Sequence, residues 1–162
     1  MSRLDSFIRR LEAQRACLNE AAGLTRNLDG VVLELGLGNG RTYDHLRSML
    51  PDRDIYVCER QVAAHPDCVP PPDRLLLGDM RETLAGARGR FGDRVVLAHL
   101  DVGTGDAAAN RALAAELTPL IVPLLCESAV LASDPPLDTP ELQPLQLPEG
   151  VAPGRYHLYR RI

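Results

Sequence analysis

The sequence contains no lysine and no tryptophan, and only two phenylalanines. All 18 of its basic residues are arginine. Without lysine, Schiff-base chemistry and the phosphate-binding lysine of a P-loop are excluded. Cysteine is sparse as well. Cys17, Cys58, Cys68 and Cys126 lie far apart with no C-x-x-C pair, so buried thiols are expected and no metal site is. No basic block exists, and the formal net charge is −4 with a pI near 5.5, which argues against a nucleic-acid substrate. The longest apolar run, 117–132, is interrupted by Pro119, Pro123 and Glu127 and predicts no membrane span. The polar start Met1-Ser-Arg-Leu-Asp-Ser-Phe7 has no signal-peptide apolar core, so a cytoplasmic protein is expected.

A chain of 162 residues, 45% hydrophobic and 25% charged, has the size and balance of one soluble domain. Leu4, Phe7, Ile8, Leu11 and Leu18 follow helical spacing and predict an amphipathic helix over 3–28, with Asp5, Arg9, Arg10, Glu12 and Arg15 on its other face. This helix could cover the sheet or a ligand cleft, or pair with another subunit in a homo-oligomer. Beyond it, strands at 30–35, 54–59, 74–77, 94–100 and 127–132 alternate with helices at 40–50, 80–90 and 105–118. Such alternation predicts parallel strands joined by right-handed crossovers. Pro51 ends the second predicted helix, since proline cannot continue its hydrogen-bond ladder. Two further strands, 142–147 and 155–161, read as a terminal hairpin, with Pro144 favouring an edge.

The most specific stretch is Val31-Val-Leu-Glu-Leu-Gly-Leu-Gly-Asn-Gly-Arg-Thr42. A buried strand runs into Gly36, Gly38 and Gly40, and a helix opens directly behind them. Glycines let the backbone approach a ligand closely, and a helix N-terminus offers free N–H groups to an anion. The G-x-G-x-G spacing, preceded by Glu34, differs from the dinucleotide fingerprint G-x-G-x-x-G. Acids close three later strands. Asp54-Ile-Tyr-Val-Cys-Glu59 ends in a carboxylate placed to reach ribose hydroxyls. Arg74-Leu-Leu-Leu-Gly-Asp79 ends in Gly78-Asp79, and Arg94-Val-Val-Leu-Ala-His-Leu-Asp101 ends in Asp101.

Together these motifs resemble class I S-adenosylmethionine-dependent methyltransferases over nearly the whole chain from residue 30. The resemblance implies a Rossmann-like, doubly wound α/β fold: a mostly parallel seven-stranded sheet with a C-terminal antiparallel hairpin, here preceded by a helix. It also implies a boundary between an N-terminal helical extension, 1–29, and a cofactor-binding domain, 30–162. S-adenosyl-L-methionine is the implied cofactor. Gly36, Gly38 and Gly40 would lie under its methionine part, with Asn39, Arg41 and Thr42 beside the carboxylate and Glu34 near the ammonium. Glu59 would accept from the ribose with Arg60 adjacent, and Gly78, Asp79 and Met80 would bound the adenine. Asp79 reads equally well as a helix N-cap. His99 and Asp101 share a strand face near the expected methyl, where a catalytic His–Asp pair and a structural histidine are both open readings.

The chain departs from the family between the second and third strands. Pro66, Pro70, Pro71 and Pro72 leave room for at most one helical turn where the family has a helix. With no inserted domain to read a large substrate, a small-molecule acceptor is expected. Two other functions fit the same features: a non-catalytic S-adenosylmethionine-binding module acting as sensor or assembly subunit, and a nicotinamide-dependent oxidoreductase, against which the glycine spacing speaks.

Overall fold

A computed structural model describes all residues, 1–162. Its elements are α1 (Arg3–Leu24), β1 (Val31–Leu35), α2 (Arg41–Met49), β2 (Ile55–Glu59), β3 (Leu75–Leu77), α3 (Met80–Phe91), β4 (Val95–Leu100), α4 (Ala107–Ile121), β5 (Leu125–Ser133), β6 (Leu142–Pro144) and β7 (His157–Arg161). They build a 7-stranded sheet in the order β3-β2-β1-β4-β5-β7-β6. The first five strands are parallel, and β7 runs antiparallel between β5 and β6. Strand order reverses beside β1, so the crevice above the β1 and β4 tips is where such a sheet takes ligands.

Each face of the sheet has its own core. On one, α3 and α4 bring Leu84, Phe91, Leu117 and Ile121 against Leu33, Tyr56 and Leu131. On the other, α1 and α2 bring Cys17, Leu18, Ala21 and Leu46 against Val32, Val57, Leu97 and Val130. The face left thin by the proline-rich segment is thus covered largely by α1. That segment holds two separate single 3-10 turns, Pro66–Cys68 and Pro72–Arg74, each opened by proline. Leu18 of α1 is 1% exposed, a burial that stabilises by about 1.5–3 kcal/mol. In space, then, α1 is part of the body that begins at residue 30 in sequence.

The expected apolar stripe of α1 divides along its length. Leu18 packs inward, whereas Leu4, Phe7 and Ile8 are exposed on the turns that pass the sheet. The inward positions carry small residues (Ala13, Cys17, Ala21) that admit close approach of helix to sheet. At the far end, Arg53 holds the chain between α1 and β1, donating to the carbonyls of Leu28 at 2.6 Å and Gly30 at 3.1 Å.

Some boundaries differ from expectation. Helix α4 continues past Pro119 to Ile121, because Leu117 and Ile121 are core residues whose packing outweighs one lost backbone bond near the helix end. Its start is fixed by Asp106, whose side chain accepts from the amides of Ala108 and Ala109. Strand β5 begins at Leu125 but bulges, with Ser128 at φ 66° and register jumping from Val95↔Leu125 to Leu97↔Val130. The hairpin strands are shorter than expected, and Pro144 sits on the edge strand β6. Cys17 and Cys58 are buried, which pushes both thiols up to about 11; Cys68 and Cys126 are half-buried.

Candidate functional site

The tips of β1, β2, β3 and β4 form one crevice wall. After β1, the amide of Gly36 donates to the Cys58 carbonyl at 2.9 Å, and that of Gly40 to the Leu37 carbonyl at 2.8 Å, closing a tight turn. Gly40 has φ +87°, and a Cβ there would stand 2.5 Å from Cys68 Cβ; this glycine is required by the protein's own packing. Gly38 differs. It has φ +53°, yet a Cβ would meet no protein atom within 4 Å. The backbone is open at Gly38, on the side a ligand could approach. Behind the turn, α2 begins at Arg41 with no side chain capping its N-terminus. The Asn39 side chain accepts only from the Arg41 amide, at 3.3 Å.

Glu59 leans from the β2 tip onto this turn. One carboxylate oxygen accepts from the amides of Leu37 at 2.8 Å and Gly38 at 3.2 Å, and the other from the Arg60 amide at 2.7 Å. The Gln61 amide also donates to that second oxygen, at 3.4 Å, so backbone amides fill both oxygens and hold the group at the rim, half-buried. From β3, the Gly78 amide donates to the Glu59 carbonyl at 3.1 Å. Asp79 caps α3, accepting from the Arg81 amide at 2.9 Å. Half-buried Met80 packs beside it. The structure therefore brings Gly36, Gly38, Asn39, Gly40, Arg41, Glu59, Arg60, Gly78, Asp79 and Met80 to one edge.

Glu34 and His99 are placed differently. Both are wholly buried, facing α1 and α2 rather than the crevice. One Glu34 oxygen accepts from the Thr42 hydroxyl, and the other lies 2.8 Å from His99 Nδ1. A buried carboxylate is costly unless paired, and Glu34 finds its partners inside the protein, with the Thr42 hydroxyl spent on it. His99 does not pair with Asp101. Its Nε2 meets the Tyr156 hydroxyl, and full burial removes the imidazole from any acceptor. Burial lowers the His99 pKa, but attraction to Glu34, with Asp101 and Asp134 beyond, more than offsets this and leaves it raised. Burial holds the Tyr156 phenol well above its usual value.

From Tyr156 the network runs outward to the β4 and β5 tips. Gln14 Nε2 donates to Tyr156 at 3.3 Å and to Asp101 at 2.8 Å. Arg10 donates to Asp101 at 2.9 Å and Asp134 at 3.1 Å, and these carboxylates raise its pKa against the cost of burial. Arg10, Gln14, Asp134 and Tyr156 had no local signal in the sequence. The Asp134-Pro-Pro136 stretch is a bend after β5, and its carboxylate is the anchor for Arg10.

Comparison with known proteins shows the family. Residues 1–161 match the family described as S-adenosyl-L-methionine methyltransferase. The crystal structure of an S-adenosyl-L-methionine methyl transferase from Silicibacter pomeroyi DSS-3 is 47% identical, with TM-score 0.96 over 100% of this chain and 99% of that one. A protein-(glutamine-N5) methyltransferase from Alicyclobacillus acidocaldarius shares the fold at 17% identity, with TM-score 0.51 over 97% of this chain and 96% of that one. So does a mutant 16S rRNA (adenine(1408)-N(1))-methyltransferase from Catenulisporales acidiphilia with cosubstrate SAM, at 13% identity and TM-score 0.51, over 90% and 91% of the two chains. Among curated proteins no sequence match was found. This chain belongs to the S-adenosyl-L-methionine methyltransferase family and is an S-adenosylmethionine-dependent methyltransferase.

Proposed function

We propose that this methyltransferase acts on a small-molecule acceptor, and that its cofactor lies across the crevice formed by the Gly36–Gly40 turn, Glu59 and the Gly78–Met80 corner. The observation that carries the cofactor reading is the pairing of an open backbone at Gly38 with the Glu59 carboxylate, fixed 3.2 Å from its amide. A carboxylate so held stands where ribose hydroxyls would replace its two longer amide bonds, those from Gly38 and Gln61. Asn39, Arg41 and the uncapped amides of α2 are suited to an α-carboxylate. Asp79 has one oxygen capping α3 and the other 3.5 Å from the Arg81 guanidinium, a long pair that a donor such as an exocyclic amine would share, with Met80 as a soft wall.

Bound S-adenosylmethionine supplies a methyl carbon on a sulfonium, which an acceptor lone pair takes as the carbon–sulfur bond breaks and its electrons stay on sulfur. The chain then has mainly to align and to exclude water. Asp101, at the β4 tip, is held by Arg10 and Gln14 and serves to orient what enters beside it. Glu34 and Thr42 act from beneath, bracing the start of α2.

A small acceptor is supported by short connections between elements, the absence of an inserted domain and the net charge of −4. The exposed Leu4 and Phe7 of α1 support self-association through that helix. Methyl transfer from labelled S-adenosylmethionine into a cell extract, followed by ultrafiltration, tests the acceptor class. Label is expected in the filtrate. Label only in retained protein or nucleic acid would overturn the small-acceptor reading.

A further inference from the structure

A cavity of about 430 Å³ lies between the outer faces of α1 and α2, beside the start of the glycine-loop helix. Ile8, Leu11 and Leu18 give it an apolar wall. Its volume falls in the range of small-molecule sites, and such sites pair an apolar lining with a few polar groups that fix orientation.

The polar groups here are weighted toward positive charge. Arg15 and Arg41 both line the cavity, against the single carboxylate of Glu12. The arginines joined in ion pairs elsewhere are Arg10, Arg47, Arg74, Arg81 and Arg161. Arg15 and Arg41 are free of such partners. His45, also at the wall, lies 2.8 Å from Asn19 Oδ1; burial, with Arg15 nearby, lowers its pKa. In a protein of net charge −4, with Arg41 turned to the cofactor, the unpaired guanidinium of Arg15 on the wall of a largely apolar cavity selects for an anion with an apolar body. Arginine matches a carboxylate in a two-pronged geometry.

The cavity also adjoins the crevice, since Arg41 at the start of α2 belongs to the edge of one and the wall of the other. Thr42 and Gln14 line it, and they are the two residues that tie α2 to Glu34 and α1 to Asp101. We infer that this cavity holds the methyl acceptor and that the acceptor is an apolar carboxylic acid, its carboxylate anchored by Arg15. The inference rests on the cofactor site proposed above and extends it by naming the substrate class.

Three compounds with one ring system and different charge test it: indole-3-acetate, tryptophol and tryptamine. Each is titrated by amide NMR into the full-length protein saturated with S-adenosylhomocysteine. Indole-3-acetate is expected to shift amides in 8–18 of α1 and 41–45 of α2, and to bind about tenfold tighter than either analogue. Arg15→Gln, on an exposed helix position, is expected to remove that preference while the fold's spectrum is kept. Equal binding of the three compounds, or shifts confined to other regions, would overturn the assignment while leaving the cofactor site standing. If S-adenosylhomocysteine itself moves no amide of the glycine turn, the cofactor site falls and this assignment with it.

Discussion

Glu34 and His99 stand opposite each other on β1 and β4, partners in register, with carboxylate and imidazole 2.8 Å apart and neither side chain exposed. Breaking one half of such a pair leaves a charge buried without its partner. His99→Leu is therefore expected to cost about 3–5 kcal/mol in urea unfolding. The double variant Glu34→Leu, His99→Leu should cost clearly less than the two single changes added together, since neither charge then remains. Simple additivity would show that the pair is not coupled.

The same pair sets a pH dependence. A histidine whose folded pKa is raised adds stability below its unfolded value, about 6.5, and that stability is lost as pH climbs through the folded value. The melting temperature of the wild-type protein relative to His99→Gln is thus expected to be greatest in mild acid and to shrink as pH rises. Taking the difference removes the opposite contributions of His45 and His157, both of which are lowered by burial. A gap that widens toward alkaline pH would contradict a raised His99.

The two glycines of the turn separate packing from ligand approach. Gly40→Ala must bring a methyl against Cys68 Cβ at 2.5 Å and its carbonyl at 2.8 Å. Overpacking and the left-handed backbone together are expected to cost about 2–5 kcal/mol in chemical denaturation. At Gly38 nothing lies near the added methyl, so Gly38→Ala should cost only about 1–2 kcal/mol for the backbone. Its larger effect is expected on S-adenosylhomocysteine affinity. A Gly38→Ala protein that binds as tightly as the wild type would place the ligand elsewhere.

How much of this was legible in the sequence depends on how local each signal is. The Gly36–Gly40 turn and the strand-end acids Glu59 and Asp79 are marked within a few residues, and the mostly parallel sheet with its terminal hairpin came with the resemblance they carry. The edge position of Pro144 was legible from its missing N–H. Glu34 was legible as the acid ahead of the glycines but not in its partnership. Its partner lies 65 residues away on β4, and the next link, Tyr156, lies 57 residues beyond His99. Arg10 read as one more charge on a polar helix face, whereas its contact with Asp101 spans 91 residues and depends on how far α1 overhangs the sheet. The helix expected over 105–118 runs on through Pro119 to Ile121, because the buried packing of Leu117 and Ile121 is not marked by any local signal.

Calorimetric titration of S-adenosylhomocysteine into the wild-type protein and Glu59→Gln tests the central claim most directly. The carboxylate at the glycine turn is the predicted seat of the ribose, and a hydrogen bond to a charged group is worth about 1.5–3 kcal/mol. Binding to the wild type with an affinity about ten- to a hundredfold weaker in Glu59→Gln, in a protein that still melts cooperatively, is the predicted result. Equal affinity in the two proteins would contradict it.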